Sequence, residues 1–539
     1  MSFRTLVPAL LLATAPAVAQ TRQQAQLPPD QAAIKAHVAF LASDALKGRE
    51  AGTPDYDVAA EYVAARMMAA GLQPGGADGS WFQPVPLVVA KPAGEPTVSV
   101  AVVGQATPLA FGTDYTLRPA PAGEAIDVSA AVVFAGYGVV DAALGRDDYK
   151  GLDVRGKVVA VFYSGPQGLN SEIAAHLGNR VDRARAAAAK GAIGIVFIES
   201  NQSRGIIPVS AIHRNWDARA VTWAGPDGKP RRAGAPVLAV VSQEGAAKLF
   251  QGSRIRWAEV QAADAAGRAV PTGALAATLS TKQRFTLERL SSPNVVGLLR
   301  GSDPTLAAEH VVLSGHLDHI GVTRPEGGDA INNGAMDNAI GIASMIEVAR
   351  RFQQEGRAPK RSLLFVAVTA EEKGLIGSDY YAAFPTVPKS GIVANVNLDM
   401  PILTYRFQDL VAFGADRSGI GPIAAQAARG AGVRLVPDPA PQEASFVRTD
   451  HYSFVRQGVP SVSLVPGPGG RGAEATAAFL KANYHKPSDE IEQPIDWAAA
   501  ADFVRVNHAI AAALANAPER PRWVKGDYFG TLYKGPMAR

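Results

Sequence analysis

The chain contains no cysteine. No disulfide can brace it, so its stability must come from burial and from any polar or metal cross-links that the fold supplies. Charge is also sparse, at 19% of residues, and the formal net charge is only +4 over 539 residues. Without a long Lys/Arg run, a nucleic-acid surface is not expected. No stretch approaches the roughly 20 apolar residues needed to cross a bilayer, so no stable membrane span is expected. What the chain does have is apolar residues, 47% of the total, enough for large cores and against global disorder. Its length predicts two or three domains.

Residues 1–19 read as a signal peptide. Arg4 supplies the positive start, Leu6 to Ala15 an apolar run too short to span, and Ala17-Val18-Ala19 a small-residue cleavage site before Gln20. Export to a periplasm or the medium suits a chain without disulfides. An N-terminal anchor is the competing reading of the same run. Residues 20–124 predict two packing helices followed by short β-like runs between Pro/Gly turns. From 125 to 275 a distinct region alternates buried strands, such as Gly156 to Tyr163 and Ile193 to Ile198, with an Ala/Arg-rich helix at 181–190. Its order of elements, with Lys190-Gly-Ala-Ile-Gly-Ile-Val, resembles the protease-associated domain inserted in several exopeptidases. Its histidines, His176 and His213, read as surface residues rather than ligands. Residues 516–539 form an aromatic-rich tail.

From 285 to 515 strand and helix signals alternate. That predicts an α/β fold, a mainly parallel or mixed sheet sandwiched by helices, with the smaller β-rich α/β domain inserted ahead of it. In such sheets ligands collect at the carboxyl ends of strands. His316, Glu371, Glu372 and Asp399 all fall at such ends. Asp318, two residues after His316, points to the same side if the strand persists and can then orient the imidazole. Asp337 precedes an apolar helical stripe, where it either caps the helix or points into a cleft. Glu371 and Glu372 repel each other unless cations are near, and adjacent side chains diverge, so one can bind metal while the other acts as a base. His485 lies in a loop. Singly these residues have ordinary explanations. Together, at successive strand ends, they point to a two-metal hydrolase site of imidazole and carboxylate donors.

The series Gly-His316-Leu-Asp318-His319, Gly334-Ala-Met-Asp337-Asn-Ala-Ile-Gly341, Glu371-Glu372-Lys-Gly-Leu-Ile-Gly-Ser378, Asn397-Leu-Asp399 and Tyr484-His485 resembles the co-catalytic dizinc aminopeptidases of metallopeptidase family twenty-eight. Leu41-Ala-Ser-Asp and Gly48-Arg-Glu-Ala-Gly-Thr53 resemble that family's lead-in. The resemblance implies two zinc ions per chain, one on His316 and Asp399, the other on Glu372 and His485, with Asp337 between them. It implies Glu371 as general base, Asp318 as the residue orienting His316, and peptides as substrates. The chain departs from the family where some members carry an oxyanion-stabilising tyrosine: the aromatic upstream of Thr449-Asp450-His451-Tyr452 is Phe446, which cannot donate, leaving Tyr452 or His451 as substitutes, or the zinc ions alone to carry the oxyanion. Glutaminyl cyclases resemble the same family but lack the first histidine ligand, which is present here as His316. A carboxypeptidase of the glutamate-releasing type would need a cationic pocket, for which Arg417, Arg434 and Arg448 are candidates. A catalytically inactive binding homologue would have lost ligands or the base.

Overall fold

The computed structural model describes residues 26–118, 123–231 and 234–539. The signal peptide expected at 1–19 lies outside them. One strand joins the two parts of the molecule. Gly273–Leu299 runs for 27 residues. Its first half pairs antiparallel with Thr97–Val102 and Ala125–Phe134, and its second half with Phe82–Pro92 and Ser362–Val368. Along the first half, Leu275, Ala277, Leu279, Thr281, Gln283 and Phe285 are buried and their neighbours are not. This is the period of two expected of a half-buried strand. From sequence only its last residues, Asn294 to Leu299, read as a strand, because Lys282, Arg284, Glu288 and Arg289 break the apolar run.

Beyond that strand the larger sheet continues through Ser362–Val368, His310–His316, Ile392–Asn397 and Ser461–Pro466, all parallel, and ends in the antiparallel Asp409–Phe413 with Arg434–Val436. Alternation assigns the faces. Val311, Leu313, Leu363, Phe365 and Ala367 face the helices Pro29–Leu41, Pro54–Ala69, Ile340–Glu355, Ile420–Gly430 and Trp497–Asn516. Val312, Leu364, Val366 and Val368 face Ile376–Ala383 and His451–Val455. Thr53 caps one of these helices by accepting from the Tyr56 amide, with Pro54 as its first residue. The fold is thus the helix-covered α/β sheet that the alternating pattern implied.

The smaller sheet runs Ala125–Phe134, Val158–Phe162, Gly194–Ile198, Val237–Val241, parallel, over cores of its own. One assignment needs correction. Thr97–Val102 and Gln105–Pro108, placed with the first part by the 20–124 boundary, belong to this smaller sheet. Strand period reveals a strand but not its partner, and these strands could have joined either sheet.

The tail docks rather than trailing. Trp523 and Phe529 are fully buried with Phe446, Tyr452 and Val455, and the Tyr528 hydroxyl donates to Asp141 of the smaller domain at 2.7 Å. His176 is a further correction. It is not a free surface histidine but packs among the rings of Tyr452, Tyr528, Phe529 and Tyr533, with its Nδ1 2.7 Å from the Tyr452 hydroxyl.

Burial pushes His176 down from 6.5 to about 4. The folded chain therefore holds this imidazole neutral, and the unfolded chain binds the extra proton between pH 6.5 and 4. Stability rises with pH across that window and is lost as pH falls through it. His176→Gln keeps a hydrogen-bonding partner for Tyr452 but cannot titrate. Thermal unfolding followed from pH 7 to 4 should give a shallower fall in Tm for His176→Gln than for the wild type. Parallel profiles would show that His176 does not contribute.

Candidate metal centre

The parallel strands bring their carboxyl ends to one place. His310–His316 ends on His316, Ser362–Val368 leads to Glu371 and Glu372, and Ile392–Asn397 leads to Asp399. Ala370, Met400 and His485, each a candidate or next to one, have left-handed backbone at φ 52°, 45° and 56°. Such strain costs about 1–3 kcal/mol per residue and persists where surrounding structure enforces it, commonly at functional sites.

Asp337 stands in the middle. One of its oxygens lies 3.1 Å from His316 Nε2, which is itself 3.0 Å from Asp399. The other lies 3.3 Å from His485 Nε2, which is 3.2 Å from Glu372. Two donor pockets thus share one carboxylate. A third imidazole completes the second pocket: His319 is fully buried, its Nδ1 2.8 Å from Glu372. Neither His319 ring nitrogen makes a hydrogen bond of good geometry. His316, Asp337 and Asp399 form one set with donor atoms within 4.8 Å of one another, and His319, Asp337 and Glu372 form another. Imidazole nitrogen and carboxylate oxygen in these numbers, with the His319 and Glu372 atoms orphaned in the protein interior, fit a pair of divalent ions such as zinc. From sequence His319 stands out only as part of a motif. A histidine one residue from Asp318 gives no local sign that it turns inward.

The field in the pocket is negative. Burial alone would lower His485, but Asp337 and Glu372 raise it to about 10, and Asp399 and Glu371 likewise hold His316 well above its ordinary value. Burial would raise Glu372, yet His319 and His485 bring it down to about 2. Glu371 differs. Burial of its carboxyl, reinforced by Asp399, Asp450 and Glu372, holds it well above the carboxylate range. Asp450 is fully buried, has no hydrogen-bond partner for either oxygen, and is raised to about 7, chiefly by burial.

The supporting shell departs from the sequence reading at Asp318. The strand ends at His316, so the Asp318 carboxylate does not meet the imidazole. It accepts the backbone amides of Glu371 at 3.0 Å and Glu372 at 3.3 Å, while its carbonyl oxygen lies 3.0 Å from His316 Nδ1. Burial raises its carboxyl to about 6. Nor does Asp337 cap a helix: it sits in an irregular turn before Ile340–Glu355. Asp489 holds that turn by accepting from the amides of Met336 and Asp337. Asn338 ties it to the Asp399 segment through Leu398 and Met400. Arg49, fully buried, donates to the carbonyls of Leu41, Leu317, Asn333 and Gly334.

Of the two suggested oxyanion residues, Tyr452 is already engaged, whereas His451 keeps a buried Nε2 without a partner among the described residues. The Tyr452 hydroxyl is engaged by His176, and the buried His451 bonds to Thr449 through Nδ1. Tyr484 was missed. It stacks on His485 at 3.9 Å, and its hydroxyl is pushed up by burial and then by the charges of Asp337, Glu372, Glu371 and Asp399. Of the three arginines considered for a carboxypeptidase, Arg417 is held by Glu172 and Asp527, while Arg434 and Arg448 are exposed beside Asp409 and Glu443.

Comparison with known proteins gives a family match. Residues 294–511 match the model of Peptidase family M28. The chain is similar to the leupeptin-inactivating enzyme 1 of Streptomyces exfoliatus, 34% identical over 22% of this chain and 25% of that one. It is also similar to a probable leucine aminopeptidase 2 of Aspergillus oryzae, 28% identical over 38% of this chain and 41% of that one. The chain therefore spans only about a quarter to two-fifths of the length of these curated relatives. Among solved structures, an aminopeptidase from Aneurinibacillus sp. strain AM-1 aligns over 91% of this chain and 94% of its own, with 19% identity and a TM-score of 0.48.

Two substitutions test the supporting shell. Arg49→Met strands at least four buried carbonyls, so it should destabilise the protein by about 3 kcal/mol and lower bound zinc. Chemical denaturation and metal analysis read both, and an unchanged zinc content would show that Arg49 supports the fold alone. Gly334 has φ +59°, and a Cβ there would lie 2.2 Å from the Asp337 carbonyl oxygen and 2.6 Å from the His319 ring. Gly334→Ala should therefore displace one of them and weaken zinc binding at least tenfold, about 1.4 kcal/mol, in a competitive chelator titration; wild-type affinity would refute the placement.

Proposed function

We propose, from the match of residues 294–511 to the model of Peptidase family M28, that the protein is an exported zinc-dependent exopeptidase, an aminopeptidase removing N-terminal residues from peptides at a centre of two zinc ions. The observation that carries this reading is the shared carboxylate, Asp337, with one oxygen toward His316 and Asp399 and the other toward His485 and Glu372. Zinc ions held by these residues, with His319 beside the second, would polarise the scissile carbonyl and bring a water's pKa toward neutrality.

Glu371 is the general base. Its raised pKa lets it take a proton from the attacking water and return it to the leaving amine. Asp318 keeps it in place by gripping the amides of Glu371 and Glu372, so the base and a ligand are positioned by one anchor. The Tyr484 hydroxyl is the donor for charge developing on the carbonyl oxygen. The three arginines of the carboxypeptidase reading lie in other contacts, and the ligands and base that an inactive homologue would have lost are gathered together; both favour the aminopeptidase. The leader at 1–19 supports delivery to a periplasm or the medium, and the smaller domain is read as protease-associated.

The test is hydrolysis of aminoacyl-p-nitroanilides, with N-acetylated controls, by wild type and Glu371→Gln, each with its zinc content measured. Wild type should hold about two zinc ions and cleave only free-amine substrates. Glu371→Gln should keep its zinc and lose about 10³-fold in kcat. Zinc without cleavage of any of these substrates would overturn the aminopeptidase assignment, and absence of zinc would overturn the centre itself.

A further inference from the structure

One short helix touches both the smaller domain and the turn that carries Glu371. It is His451–Val455, closed by Arg456. Toward the smaller domain it presents Tyr452 and Arg456. The Tyr452 hydroxyl lies 2.7 Å from Nδ1 of His176, on the helix Ser171–Leu177. Arg456 donates to both oxygens of Asp182, on the helix Arg180–Ala189, at 2.8 and 2.9 Å. Paired guanidinium–carboxylate bonds of this kind fix orientation as well as distance. The approach to the helix is held as well, since the Ser171 hydroxyl donates to the Pro441 carbonyl. On its other side the helix presents Ser453. Its hydroxyl lies 2.9 Å from that of Ser378, on the helix Ile376–Ala383, and both serines are buried. Ser378 gives its single hydrogen to the Leu375 carbonyl, at 3.3 Å, so it accepts from Ser453. The rings of Phe454 and Tyr381, 6.1 Å apart, pack the same two helices together.

Leu375 is the last residue of the turn that carries Glu371 and Glu372. It has left-handed backbone, at φ 57°, as does Ala370 at φ 52° where the turn begins. Between them the turn closes on itself. The amides of Gly374 and Leu375 donate to the Glu371 carbonyl at 2.7 and 2.9 Å, and that of Ile376 to the Ala370 carbonyl at 3.1 Å. A turn with left-handed backbone at both ends keeps its shape where its neighbours impose it. We propose that His451–Val455 couples the smaller domain to the general base, and that Ser453 and, through it, His176 are positioning residues for Glu371. The smaller domain seats the helix, Ser453 seats Ser378, Ser378 fixes the Leu375 end of the turn, and Glu371 is held where it acts. The role of Glu371 as base rests on the peptidase reading; the mechanical coupling does not. Misplacing a catalytic group by about 1 Å costs on the order of 10²-fold in rate, so a loosened turn is felt in kcat. Zinc ligation by Glu372 is less exposed to this, because Asp318 grips the amides of both glutamates from another side.

The test compares the full-length wild type with Ser453→Ala, His176→Ala and the double variant, each with its zinc content measured and each held below its unfolding range. Amide hydrogen exchange across residues 370–380 reads the turn, and hydrolysis of aminoacyl-p-nitroanilides reads the base. Each single variant should speed exchange in that segment about tenfold. Each should also lower kcat about tenfold with KM little changed, as expected when a group is displaced from its transition-state position. The double variant should go no further than the larger single effect, because both substitutions remove one support. Asp182→Asn reads the same contact if His176→Ala does not fold. Wild-type exchange in the segment, even with a lowered Tm, assigns these residues to the fold alone and overturns the coupling. Multiplied effects in the double variant overturn it as well. Faster exchange with wild-type kcat overturns the positioning role. Faster exchange in a protein that cleaves none of these substrates leaves the coupling standing and removes the peptidase reading.

Discussion

Five carboxylates, Asp318, Asp337, Glu371, Glu372 and Asp399, crowd the carboxyl ends of the central strands, all at least partly withdrawn from water. Like charges at this density are tolerable only if positive charge or hydrogen-bond donors are built around them. The structure supplies both. His316, His319 and His485 stand against Asp337, Glu372 and Asp399, and backbone amides meet Asp318 and Asp489. Glu371, with no imidazole within bonding distance among the described contacts, keeps the raised pKa of a base rather than the depressed one of a ligand. The division of labour between two adjacent glutamates is therefore set by which neighbour each meets.

That arrangement depends on the rest of the molecule holding several chain segments in register. Arg49 is central to it, since it reaches carbonyls more than 260 residues away and binds the first helical segment to the turn carrying Asp337. The long strand Gly273–Leu299 makes the two sheets one body. The tail, through Trp523, Phe529 and Tyr528, fastens the smaller domain to the larger on another side.

Much of the fold was legible because its signals are local. Ser362–Val368 and Ile392–Asn397 are apolar runs bounded by turns, and each has the extent that its pattern implies. Residues at the ends of such runs could be identified as a site by the topology of parallel sheets. The sheet membership of Thr97–Val102 could not, because a strand's partner is absent from its own pattern.

The sequence by itself determined the helix-covered α/β architecture, the donor chemistry at the strand ends and the inventory from which a metal centre can be made. Periodicity and spacing act over a few residues, and those features are written at that range. Tertiary structure alone decided that His319 turns inward, that Asp318 grips amides instead of an imidazole, and that Tyr452 meets His176 while Tyr484 stacks on His485. Each of these outcomes depends on packing between segments far apart in the chain, and no local pattern records which side chain a distant segment will meet.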